Sequence, residues 1–255
     1  MARSFDGVDD SLLVNTTIFT AYPISMFCFF NPTSGRAQNF DVLMWLGDKD
    51  TNQNFIGVEL QSTGEIALET RGSTDSNNAP STETYTEGVW NSVYACWTGD
   101  AYREGILNNG TLWSGTVSKD LNESLLDRVC IGRRVNSLPA IPYGGIIGRV
   151  AMWNVQLAAG DVSALHGGCS PLRVKPANLK CWWELSGGLL VDWSGNDLLL
   201  TASGAVIADN PPVAPPFGFD LGWQGAFTAA AAAGVDRWHY AVSQPYPEKI
   251  EIVSY

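Results

Sequence analysis

The chain has 255 residues and a mass of 27.6 kDa, enough for one large domain or one domain with an appendage. It is 45% hydrophobic and 11% aromatic but only 16% charged, which excludes intrinsic disorder and leaves a surface of Ser, Thr, Asn, Gln and Gly. Fifteen Lys and Arg against 26 Asp and Glu give a net charge of −11, which excludes condensation on nucleic-acid phosphates or anionic lipid.

The first residues, Met1 to Asp6, show no basic stretch followed by an apolar one, so no secretory signal is expected. No window approaches the roughly 18 consecutive apolar residues of a membrane span, and membrane insertion is not expected. Asp6-Gly7-Val8-Asp9-Asp10 gathers oxygen ligands beside a glycine. It reads either as a polar turn entering a strand or as a calcium site made by Asp6, Asp9 and Asp10.

Strand signals then recur. Ile24 to Phe30 is a short apolar run closed by Asn31-Pro32. Phe55–Gln61 and Glu65–Thr70 flank Ser62-Thr63-Gly64 and read as a hairpin, with Ile56, Val58 and Leu60 on one face and Ile66 and Leu68 on another. Gly72–Glu87 is rich in Ser, Thr and Asn and reads as a long exposed loop. Trp90–Trp97 begins a further pair of strands, and Asn108-Asn109-Gly110 supplies a hairpin turn before Thr111-Leu112-Trp113. Gly145–Trp153 is another buried strand. Leu157–His166 has helical spacing and is stopped by Gly167-Gly168. Short strands parted by turn signals predict an all-β, two-sheet antiparallel sandwich with one short helix.

The composition changes near Asp209-Asn210-Pro211-Pro212. This places a domain over residues 1–210 and a Pro-rich connector with an aromatic tail over 211–255. The tail holds eight of the aromatic residues, out of 10 Trp, 8 Tyr and 10 Phe in the whole chain. These rings must be buried, either on the chain's own domain or on a neighbour. The anchoring candidates are Phe217, Phe219, Trp223, Phe227, Trp238, Tyr240 and Tyr246.

Catalytic signatures are scarce. His166 and His239 are the only histidines, and no nucleophile elbow, phosphate loop or dinucleotide glycine pattern occurs. Glu65 and Glu69 share a strand face, but four residues of strand place them roughly 13 Å apart. Glycosidase carboxylates need about 5–9.5 Å, so no enzyme activity is expected. The five cysteines, Cys28, Cys96, Cys130, Cys169 and Cys181, read as reduced thiols, with Cys169 and Cys181 the one pair placed to bond.

These strings, taken in order, resemble laminin-G-like domains of the concanavalin-A-like jelly roll. Ser4–Asp10 resembles the opening strand and Ile24–Phe29 the second. Gly88-Val89-Trp90-Asn91-Ser92-Val93 resembles the Gly-x-Trp-x-x-Val strand, Asn109-Gly110 the hairpin slot, and Ile131-Gly132-Arg133 the Ile-Gly strand. Gly144–Trp153 with Leu157–Leu165 is similar to the family's late signature, and the likeness spans residues 2 to about 213. The resemblance implies the jelly-roll fold.

A second likeness, carried by Cys181-Trp182-Trp183-Glu184-Leu185 and a Pro-Pro-ended last strand, is to bacteriophage virion proteins. It implies a non-enzymatic virion surface protein of the head-decoration, spike or fibre kind, assembled in a host cytoplasm. Its partners would be other virion proteins and copies of itself, as a homo-oligomer taken to be a trimer. The alternative is a lectin-like carbohydrate-binding module for host-surface glycans, with or without calcium. Its stacking candidates are Trp45, Trp97, Tyr102 and Trp113, near Asn108, Asn109 and Asp100.

Overall fold

The computed structural model describes residues 2–34, 40–51, 53–72, 76–99, 101–116, 121–134, 141–185, 190–209 and 211. In chain order the strands are β1 (Ala2–Asp6), β2 (Ser11–Val14), β3 (Ile24–Pro32), β4 (Asp41–Gly47), β5 (Phe55–Leu60), β6 (Glu65–Arg71), β7 (Ser76–Thr84), β8 (Asn91–Gly99), β9 (Tyr102–Leu107) and β10 (Leu112–Gly115). They continue with β11 (Arg128–Ile131), β12 (Gly144–Trp153), β13 (Leu179–Trp183), β14 (Thr201–Ser203) and β15 (Val206–Ala208). A single α-helix among the described residues, α1 (Ala159–His166), follows β12. By its contacts the chain divides into two units, Met1–Ala214 and Pro215–Tyr255. The second lies outside the described residues.

Two antiparallel sheets form the first unit. One runs β10-β9-β8-β3-β12-β1-β15, with β13 also pairing β12, and the other runs β14-β2-β11-β4-β5-β6-β7. The alternation read from the sequence sets the register: Leu60 faces Ile66, and Val58 faces Leu68, across β5 and β6. Gly64 takes φ +89° in that turn, which a side chain would resist. Asn108 and Asn109 both adopt positive φ, 51° and 59°, the primed turn that matches strand twist.

Between the sheets lies a core that includes Met26, Phe30, Leu46, Val58, Leu68, Val93, Trp97, Ile147 and Trp183. A second apolar layer coats the outer face of the eight-stranded sheet. There Phe27, Phe29, Tyr94, Trp153 and Trp182 pack under Val162 and Leu165 of α1. The outer face of the seven-stranded sheet carries a smaller cluster of Val42, Trp45, Phe55 and Cys130.

The segment read as an exposed loop contains a strand. β7 pairs β6 from Arg71↔Ser76 to Glu65↔Thr84 and ends its sheet. An edge strand open to solvent turns few side chains inward, here Ala79 and Ser81, so its sequence lacks apolar alternation. Pro80 is tolerated for the same reason. All five cysteines are free thiols, Cys169 and Cys181 included. No described helix is long and apolar enough to cross a membrane.

Candidate functional site

An open groove of about 520 Å³ lies on the helix-bearing side of the eight-stranded sheet. That volume is within the usual range for small-molecule sites. Trp90, half-buried just before β8, supplies its aromatic wall, and Phe29 of β3 borders it with little of its ring open. Asn91, Ser92, Asn108 and Asn109 supply amides and a hydroxyl, and the end of α1 closes it with Ser163, His166 and Gly167.

The strand register explains how these meet. Phe29 lies opposite Ser92 across β3 and β8. The amide N–H of Ser92 donates to Asn108 Oδ1 at 2.7 Å, which ties the β9–β10 turn to the rim. Asn108 Nδ2 donates to Asn91 Oδ1 at 2.9 Å, and Asn91 Nδ2 donates to the carbonyls of Thr86 and Val89 at 2.8 and 2.9 Å. The rim is therefore an amide network held in place before any ligand arrives.

His166 enters from the helix. Its Nδ1 shares a hydrogen bond with Ser92 Oγ at 2.7 Å, and its ring meets Phe27 edge-on at 5.4 Å. Its Nε2 is buried without a protein partner. Burial pushes the imidazole pKa down to about 4, so the ring is neutral near pH 7. The segment after α1 is fixed by Arg149, which stands in left-handed backbone at a bulge of β12. Its Nη1 donates to the carbonyls of Gly168 and Cys169 at 2.7 and 3.1 Å, and its Nε donates to Glu184 Oε1 at 2.8 Å.

The sequence-derived stacking residues are placed elsewhere. Trp45, Trp97 and Trp113 are 0%, 1% and 4% exposed and have no open ring face. Trp97 and Trp113 fill the intersheet core, where their indoles donate to Thr70 Oγ1 and the Ala79 carbonyl. Trp45 packs on Phe55 across the outer face of the other sheet. A sugar needs an open ring face to stack on, and their burial corrects their assignment as glycan platforms. Tyr102 is half-buried, bonds Glu104 and does not line the groove. Asn108 and Asn109 do line it, while Asp100 lies outside the described residues.

Sequence reasoning missed Trp90 as a site residue. Its signal was present in the Gly-x-Trp-x-x-Val string, but nothing local shows that this ring flanks a groove. The anchoring candidates Phe217, Phe219, Trp223, Phe227, Trp238, Tyr240 and Tyr246 lie outside the described residues.

Asp6, Asp9 and Asp10 each bring a carboxylate oxygen within 4.8 Å of the others. Two of the carboxylates also close their own turn: Asp10 Oδ2 accepts the Asp6 N–H at 2.8 Å, and Asp6 Oδ1 accepts the Val8 N–H at 2.7 Å. The donor chemistry fits a hard cation, and the same geometry satisfies a polar turn.

Acidic residues also meet on the outer face of the seven-stranded sheet, at a pair that the sequence reading did not single out. Glu69 pairs not with Glu65 but diagonally with Glu59 of β5, because Gly57 faces Glu69 and Ala67 faces Glu59. Both are buried, and Arg134 lies 3.8 Å from Glu69. Desolvation, then the neighbouring Glu69, pushes the Glu59 carboxyl well above the usual range.

No family model and no curated protein matches the chain. Solved structures do. The chain is similar to a heptameric SAP-like pentraxin from Limulus polyphemus, with a TM-score of 0.59 at 15% identity over 82% of this chain and 94% of that one. It is similar to the CBM40 module of a Ruminococcus gnavus IT-sialidase bound to α2,3 sialyllactose, with a TM-score of 0.52 at 12% identity over 66% and 98%. It is also similar to domain 4 of a Geobacillus stearothermophilus GH43 extracellular arabinanase in complex with arabinotriose, with a TM-score of 0.52 at 15% identity over 65% and 76%. The fold is the concanavalin-A-like jelly roll. This agrees with the sandwich expected from the sequence. The bacteriophage resemblance finds no support in these comparisons.

Proposed function

We propose that this protein is a carbohydrate-recognition module, that the groove between α1 and the β9–β10 turn is its sugar site, and that it binds without breaking bonds. One observation carries the reading: the half-buried Trp90 ring and a pre-bonded amide rim stand side by side in an open groove of about 520 Å³. Sugars present an apolar ring face and a belt of hydroxyls, and those two surfaces match such a groove. Two of the similar structures, the CBM40 module and the arabinanase domain, were solved with oligosaccharides. They support glycan recognition over a virion surface role.

The binding-only part of the reading rests on where the carboxylates are. None of the described residues lining the groove is acidic. The Glu59–Glu69 pair is buried on the other sheet, and Asp6, Asp9 and Asp10 do not line the groove.

The test is a glycan microarray probed with the intact protein, with calcium and with chelator. Trp90→Ala and Asn109→Gly accompany the wild type; the second keeps the positive-φ turn and removes only the rim amide. Capture of a glycan set by the wild type, reduced at least about tenfold by both variants while their unfolding temperatures hold, is the expected result. Wild-type silence in both buffers overturns the proposal, as does capture untouched by either variant. Capture confined to the calcium arm adds Asp6, Asp9 and Asp10 to the site.

A further inference from the structure

Resting on the glycan reading of the groove, we infer that it selects neutral glycans and discriminates against those bearing carboxylate or sulfate groups. Among the described residues lining it, none is Lys, Arg, Asp or Glu. An acidic sugar entering would shed the water around its charge and find only amides and hydroxyls in exchange.

His166, the one titratable side chain in the lining, is neutral near pH 7 and supplies no cation. Arg149 is close behind, its guanidinium 5.9 Å from the Phe29 ring centre. It is committed to Glu184 and to the carbonyls of Gly168 and Cys169, so it is neutralised and engaged away from the groove.

The helix points the same way. α1 presents its C-terminal end, His166 and Gly167, to the groove. That end carries the negative pole of the backbone dipoles, which repels an anion and attracts hydroxyl donors. Beyond the contact zone, the net charge of −11 opposes the approach of an acidic glycan.

The experiment compares lactose with 3′-sialyllactose, and a neutral with a sulfated galactoside, against the full chain at low and physiological salt. Ser163→Lys, an exposed groove position on α1, is the gain-of-charge variant. The expected result is neutral capture at least about tenfold stronger than acidic capture, with the gap narrowing several-fold in Ser163→Lys and at higher salt. Acidic glycans bound as tightly as their neutral partners, or a gap unmoved by Ser163→Lys, overturns the inference and leaves glycan binding standing. Capture of neither class overturns the glycan reading and this inference with it.

Discussion

Arg149 and Glu184 form an ion pair inside the protein, Nε donating to Oε1 at 2.8 Å with the arginine fully buried. Glu184 Oε1 also accepts the Trp182 indole N–H at 2.8 Å. Arg149 thus joins β12, the segment after β13 and the end of α1. Arg149→Met leaves a buried carboxylate without its counter-charge and two carbonyls without the Arg149 donor, and is expected to cost about 3–5 kcal/mol. In a domain of this size that lowers the unfolding temperature by roughly 6–20 °C. Adding Glu184→Leu should recover part of the loss, because the stranded charge goes with it. A double variant no more stable than Arg149→Met would contradict this account.

Glu59 is fully buried with Glu69 beside it, so that the protonated Glu59 carboxyl has the Glu69 carboxylate as its hydrogen-bond partner. Its folded-state pKa lies above its unfolded value near 4.3, so the folded protein holds a proton that the unfolded chain has released. The stability this contributes is complete below about pH 4.3 and is lost as pH rises through that window, by up to about 1.4 kcal/mol per pH unit. Glu59→Gln keeps the shape and removes the titration. The variant should match the wild type near pH 4 and unfold at a higher temperature at pH 8. Thermal melts across that range check the sign, and parallel curves would refute it.

Strands with apolar runs were legible in the sequence because their side chains are buried on at least one face: β3, the β5–β6 hairpin and β12 fall where alternation and turn residues put them. β7 was not, because at a sheet edge solvent rather than packing chooses the residues. The groove was legible only in its Asn108-Asn109 turn. Its walls come from positions as far apart as Phe29 and Gly167, joined by strand register and by the crossing of α1. Trp45, Trp97 and Trp113 erred the other way, since ring chemistry alone does not say which face of a strand is covered. The Glu59–Glu69 pair depends on a diagonal across two strands, whereas the sequence displays only spacing along one.

Gly105 of β9 faces Trp113 of β10, and a Cβ at this glycine would run into the indole ring. The ring is held by its N–H donating to the Ala79 carbonyl at 3.2 Å, which also ties β10 to β7. Gly105→Ala therefore overpacks a site that cannot give way, with an expected cost of about 1–3 kcal/mol. Shrinking the ring with Trp113→Leu should make the two changes less costly together than their sum. Chemical denaturation of the four proteins in the cycle measures this coupling. Strict additivity would mean that the ring is free to move.

His166 gives the opposite pH dependence to Glu59. Its folded-state pKa of about 4 lies below the unfolded value near 6.5. Protons therefore favour the unfolded chain, and the stability contributed by the neutral ring is complete above about pH 6.5 and lost as pH falls toward 4. His166→Asn preserves a side-chain partner for Ser92 Oγ in place of Nδ1 and cannot titrate. The wild type's stability relative to this variant should shrink steadily from pH 7 to pH 4, even though Glu59 pushes both proteins the other way over part of that range. Unfolding temperatures of the pair in matched buffers isolate the effect, because every other group is common to both. A constant difference across the window would mean that the imidazole titrates in the folded groove as it does in the unfolded chain.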